Sequence, residues 1–349
     1  MTGNPDLDCV IIDKILQFLL ILSVTTASAR PWPSAFNAPA AKWTEKKVED
    51  GHLYITQSYL ILSDEALGKN RLDEMTRMVE SVRKALELFP LHLLPEHGKK
   101  GNKKNGNRHV VRIVTSQRKY LAMGGPKGSI GFYDGRSGEV TVSLERLIEP
   151  KNETSRLEPR QRYRLLVHEL VHQAMGERLI ALPPWFSEGM AEYMAATQFA
   201  PGRFNFKNTS RQIIEHLQTS WLGARKNEIT IPSIEQLSGM THLTWNNDNR
   251  LNPQHAYAKY AGALLLTHYQ MELASRNLGG LRGFLARKIE YRPVRGRPGR
   301  FLQVLPSQDI LWEERDHAKV EKQLVSYWKN KGLKLKFTNK SAQPKGRPR

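Results

Sequence analysis

An α+β fold is predicted, with a mixed sheet and one long helix filling the first half and a mostly helical second half closing over it. Three observations predict it. Short runs before about position 145 alternate apolar and polar residues at period two, the signature of half-buried strands. A single amphipathic run, Leu72 to Phe89, interrupts them with helical spacing. From Pro159 onward the period is helical almost throughout. The chain of 349 residues, 40% hydrophobic and 25% charged, has the length and composition of one folded domain with a sizeable core.

Taken in order, "KILQFLLILSVTTASARPWP" places Lys14 before an apolar run, Ile15 to Leu22, and then Ala27-Ser28-Ala29. This pattern predicts an export signal over 1–29, cleaved after Ala29, with an apolar run too short to span a bilayer. Asp6, Asp8 and Asp13 weaken the basic start such a signal needs, and a retained anchor or a buried N-terminal helix is the alternative. Cys9 is the only cysteine and precedes the cut, so the mature chain would hold no disulfide and no cysteine-based zinc site. Residues 30–47, opening with a Pro/Ala-rich lead, are expected to be a linker. One folded domain is expected over 48–328, in two parts of about 48–197 and 198–328.

Within that domain "HLYITQSYLIL" alternates like a strand, and Leu72, Met75, Val79, Val82, Leu86 and Phe89 mark the helix that follows. The basic, Gly/Asn-rich "HGKKGNKKNGNRH" reads as a solvated loop before the strand "VVRIVTS". "GSIGFYDGRSGEVTVSL" reads as a hairpin turning at Asp134-Gly135 or Ser137-Gly138. Tyr163, Leu166, Val167, Leu170, Val171 and Ala174 form one apolar helix face that stops near Gly176, and Pro184 suits the first turn of the next helix. Further helices are expected at Ser210–Leu222, Ile234–Met240, Ala256–Ala274, Gly280–Lys288 and Ala318–Lys329. Residues 329–349, rich in Lys and Arg with few large apolar side chains, are expected to be a disordered basic tail.

Chemistry enters with "LLVHELVHQAMGE". Four residues advance a helix by about 400°, so His168 and His172 project from one face and can hold one metal ion. Glu169 is rotated off that line, where its carboxylate can act as general base on a water rather than bind the metal. This division of roles is the one zinc hydrolysis needs. On the next helix Glu188 and Glu192 again lie one turn apart. A short reversal through "AMGERLIALPP" would return that helix against the first, making Glu188 the third ligand. Glu192 would then accept the free N–H of a ligand histidine and fix its tautomer. A water in the fourth position would leave the open coordination of a catalytic zinc site. The histidines at 52, 92, 97, 109, 216, 242, 255, 268 and 317 have no ligand spacing and are expected at the surface or the edge of the core.

The pair His168-Glu169-Leu170-Val171-His172 and Trp185-Phe186-Ser187-Glu188-Gly189-Met190-Ala191-Glu192-Tyr193 resembles the gluzincin branch of zinc metallopeptidases. Within that branch it is most similar to bacterial peptidase-MA-like domains of unknown function, which Gly131-Phe132-Tyr133 and the run Tyr257 to Tyr269 also echo. The resemblance is strong over His168–Tyr193 and weak over the rest of His52–Lys334. It implies a zincin-like fold, Zn2+ as cofactor and hydrolysis of peptide bonds in a peptide or protein substrate. Tyr257 is the first candidate to assist Glu169 as donor to the developing oxyanion, with His255 and Tyr260 as alternatives. The strand around Ile130–Tyr133 would offer an open edge to an extended substrate. The Gly-x-Met-Glu-Asn motif of gluzincin aminopeptidases is lacking, which favours an endopeptidase.

With 53 Lys+Arg against 34 Asp+Glu, the formal charge is +19 and would draw the protein to an anionic envelope surface or acidic substrates. The basic stretches Lys99–Arg112, Arg287–Arg300 and from Lys329 match no nucleic-acid-binding module. Two other readings stand beside the peptidase. One is a catalytically silent zinc-containing scaffold, and the other is an envelope protein whose charge itself binds a polyanion.

Overall fold

The computed structural model describes residues 31–95, 108–127, 129–148, 159–219, 227–251, 253–277, 279–287, 290–293, 301–304, 306–312 and 316–338. The expected export signal at 1–29, most of the basic loop 97–109 and the last part of the tail lie outside the described residues. Strands in the first half are β1 (Ala35–Asn37), β2 (Thr44–Val48), β3 (Gly51–Ile55), β4 (Tyr59–Ser63), β5 (His109–Val114), β6 (Gly131–Asp134) and β7 (Glu139–Ser143). Those of the second half are β8 (Gln198–Ala200), β9 (Arg203–Asn205), β10 (Glu228–Ile231), β11 (Glu290–Pro293), β12 (Phe301–Val304) and β13 (Lys334–Phe337).

The fold is α+β around a mixed sheet of order β2-β3-β4-β5-β7-β6. Its central pairs, β4 with β5 and β5 with β7, are parallel, and the outer pairs are antiparallel. Alternation sorts the side chains, so that Tyr59, Ile61, Val111, Ile113, Val140 and Val142 are buried. Against them lies the helix Lys69–Glu87, which buries Leu72, Met75, Val79, Val82 and Leu86, the residues its spacing marked. The helix Pro159–Met175 joins the same core through Leu166, Val167, Leu170, Val171 and Ala174. Its Gln173 amide is bolted to the sheet, donating to the carbonyls of Val110 and Gly138 at 2.8 Å each.

The next helix, Pro184–Thr197, is buried along every residue except Glu188. A helix that is apolar all round belongs in an interior. Here it runs beneath the long helix Pro253–Asn277, and Gly189 permits the close approach: a Cβ there would lie 2.2 Å from Thr267 Oγ1 and 2.3 Å from the Ala263 carbonyl oxygen. One hydrophobic core extends from Tyr54 through Leu335. No helix among the described residues is long and apolar enough to cross a membrane.

Three expectations need correction. The run "HLYITQSYLIL" is two strands rather than one, β3 and β4, paired antiparallel across Thr56–Ser58. That turn has no Gly, Pro or Asn; Glu80 holds it from another element, accepting from Thr56 Oγ1 at 2.7 Å, the Ser58 amide at 2.6 Å and Ser58 Oγ at 2.9 Å. The linker 30–47 contains β1, which pairs with β9, and nearly all of β2, which edges the main sheet. Residues 329–338 of the expected tail belong to the fold: β13 lies parallel to β10, burying Leu333 and Leu335 while Lys334 and Lys336 pair with Glu228.

Candidate metal centre

Gly176, at φ 46°, ends the HExxH helix in the left-handed conformation that glycine adopts without a steric penalty, its amide donating to His172 O at 2.9 Å. A single short turn, Arg178–Ala181, follows. Pro184 then stands in the first turn of the returning helix, where a missing N–H leaves nothing unsatisfied. The two helices therefore run antiparallel, with His172 opposite Glu188 and His168 opposite both Glu188 and Glu192.

Three ligand-type atoms converge. His168 Nε2 and His172 Nε2 are 3.1 Å apart, and Glu188 Oε2 is 3.3 Å from each. Tetrahedral zinc, with ligands at about 2.0–2.1 Å, sets its ligand atoms about 3.3–3.4 Å from one another. Two imidazole nitrogens and a carboxylate oxygen are also the donor set zinc prefers. The local charge points the same way. Burial alone would lower the pKa of His168, but hydrogen bonding to Glu188 and Glu192 and the charge of Glu169 raise it well above the usual imidazole range. Burial would raise Glu188, yet the charge of His172 and hydrogen bonds from both imidazoles hold it well below the usual carboxylate range. The site thus favours positive charge where the three donors meet. The donors fit a zinc ion.

Glu192 is buried, with Oε1 3.1 Å from His168 Nδ1. Burial pushes its carboxyl up, but hydrogen bonds from His168 and His216 outweigh this and lower it to about 2. Glu169, next in sequence, leaves the helix about 100° from His168, beside the ligand row rather than in it. The amide of Tyr133, on β6, donates to its Oε2 at 2.9 Å. Burial raises the Glu169 pKa against the lowering influence of the two histidines. Gly131 lies next to this side chain: a Cβ on it would make an ordinary contact with Glu169 Cγ at 3.6 Å and a tight one with Thr141 O at 3.1 Å.

The three candidate oxyanion donors differ in their surroundings. Tyr257 is 39% exposed, and the ring centroid of Tyr260 lies 6.1 Å from that of His168. His255 lies on the same helix, its side chain outside the described residues. Burial, followed by the nearby charge of Glu188, raises the Tyr260 hydroxyl well above 10, so it stays protonated and able to donate. Its ring is braced edge-on by Trp245 at 5.5 Å. Trp245 is itself held by the fully buried Lys259, which donates to its carbonyl at 3.0 Å and pairs with Asp248 at 2.6 Å.

Two functional contacts were missed in the sequence. His216, expected at the surface or core edge, is buried, and its Nε2 lies 2.7 Å from Glu192 Oε2. Arg164, one turn before His168, is also buried and approaches His216. The available signal was a histidine on the apolar face formed by Ile213, His216 and Leu217, together with an arginine extending the row of residues 164, 168 and 172. Neither signal names its partner across helices. No family model matches the chain, and no curated protein matches it.

Proposed function

We propose that this chain is a zinc-dependent peptidase, an endopeptidase of the gluzincin type in a zincin-like fold, exported through its N-terminal segment. The observation that carries the reading is the convergence of His168 Nε2, His172 Nε2 and Glu188 Oε2, with Glu169 beside them and held by the edge of the sheet. When bound, zinc supplies Lewis acidity, which acidifies water and draws charge from a carbonyl oxygen. Glu169, made more basic by burial, takes the proton of the attacking water and delivers it to the leaving amine nitrogen. Tyr260 donates its hydroxyl proton in a hydrogen bond to the oxygen that gains charge. Among the described residues β6 pairs only with β7, so a peptide extended along its other edge would pass Glu169.

The test pairs elemental analysis with a peptide-library cleavage screen of the purified protein. Glu169→Gln should keep zinc near one equivalent and lose cleavage by about 10²–10⁴-fold, the contribution of a general base. Undiminished cleavage by that variant would remove Glu169 from the role. Wild-type protein that takes up zinc but cleaves nothing would favour the scaffold reading.

A further inference from the structure

Beyond the metal ligands and Glu192, a row of buried polar groups leads away from the site. His168 uses Nε2 toward the other two ligands and turns Nδ1 toward Glu192 Oε1, 3.1 Å away, with the N–H not yet in line. The second oxygen of Glu192 lies 2.7 Å from His216 Nε2. The other nitrogen of His216, Nδ1, lies 3.5 Å from Arg164 Nη1. Arg164 is 2% exposed, and its Nη2 is 3.6 Å from Glu215 Oε1 at the surface. Burying a guanidinium costs free energy that a hydrophobic side chain in its place would not.

We infer that Arg164 and His216 are positioning residues that act through Glu192 to set the tautomer of His168. The inference rests on the metal-site reading above. Guanidinium has donors and no acceptor, so the His216 nitrogen facing it must present a lone pair. That leaves the His216 proton on Nε2, directed at Glu192. Glu192 then accepts at one oxygen from His216 and keeps the other for the N–H of His168. With its proton on Nδ1, His168 presents a lone pair at Nε2, the atom in the ligand cluster. A fixed cation at one end of the row thus dictates, through three successive polar contacts, which nitrogen is available for metal at the other. Spacing supports the geometry: Arg164, His168 and His172 are successive turns of one face, and Glu188 and Glu192 are successive turns of the facing helix.

The experiment measures zinc affinity by competition with a chromogenic chelator, alongside the melting temperature of the zinc-free proteins. His216→Met and Arg164→Met should each weaken zinc binding about 10-fold or more, the usual effect of removing a group that orients a ligand. His216→Gln, whose amide can still donate to Glu192, should recover most of that loss. In a Glu192→Gln background Arg164→Met should add less than about two-fold, because the carboxylate through which it acts is gone. A merely structural arginine would give the same loss in both backgrounds. If Arg164→Met does not fold, the Met and Gln variants at 216 decide the matter. Wild-type protein that binds zinc while the 216 variants match it within about two-fold overturns this inference alone. Wild-type protein that binds no zinc overturns the metal-site reading and this inference with it.

Discussion

Tyr257 and Tyr260 are three residues apart on one helix, so their side chains leave its axis about 60° apart. That rotation separates a half-exposed ring from one seated against His168. Periodicity shows that both tyrosines lie near one side of a helix, but not that Tyr260 packs between His168 and Trp245, which stands on a different segment. Tyr260→Phe should therefore lower kcat by about 10²–10³-fold, the worth of one oxyanion donor, while zinc content and KM change little. Tyr257→Phe should leave kcat within about two-fold, the small effect of an exposed side chain. The reverse ranking in steady-state assays would return the role to Tyr257.

At the scale of elements, the local signals were legible and the cross-element ones were not. Helix Pro159–Met175 and its successor follow directly from 3.6-residue spacing, Gly176 and Pro184, which is why the positions of His168, His172 and Glu188 could be read from sequence. The β3–β4 turn was hidden because a glutamate more than twenty residues later holds it. In the C-terminal segment the alternation of Leu333, Leu335 and Phe337 was masked by the intervening lysines, whose charge is met by Glu228 about a hundred residues earlier. Gly189 belongs to the same class: it stands in the motif, but its reason lies in the helix that crosses it at Ala263 and Thr267. Gly189→Ala should gain about 1 kcal/mol of helix propensity and lose more to overpacking, for a net destabilisation of about 1–3 kcal/mol. Because the obstacle includes backbone, rotamer changes cannot relieve it. Gly239→Ala, at the end of another helix with open space around its Cβ, is the control and should be neutral or slightly stabilising. Urea unfolding of the two variants checks the difference, and equal midpoints would mean that the helices can separate without loss.

Across the whole molecule, His268 links parts far apart in the chain. It shares a hydrogen bond of 2.9 Å with Thr209, and its ring meets Tyr193 of the glutamate-bearing helix and Tyr327 and Trp328 of the C-terminal helix His317–Asn330. Burial first, and then the charge of Lys331, lower its pKa to about 3. The folded value lies below the unfolded value of about 6.5, so the folded state holds this imidazole neutral while the unfolded chain protonates it. Its contribution is complete above about pH 6.5 and is lost as pH falls through the window toward 3, by up to about 1.4 kcal/mol per pH unit. The depressed carboxyls of Glu188 and Glu192 lose their contribution only below the ordinary carboxylate range, so measurements between pH 6.5 and 5 separate the two effects. His109, lowered by burial in the same direction, contributes equally to both proteins being compared. His268→Gln should be less stable than wild type at pH 7, since it disturbs a filled aromatic site, yet its stability should fall less steeply on acidification. Denaturant unfolding at pH 6.5, 5.75 and 5 measures both slopes. Parallel lines would show that His268 is neutral in both states or charged in both, and that the junction of these three helices does not sense protons.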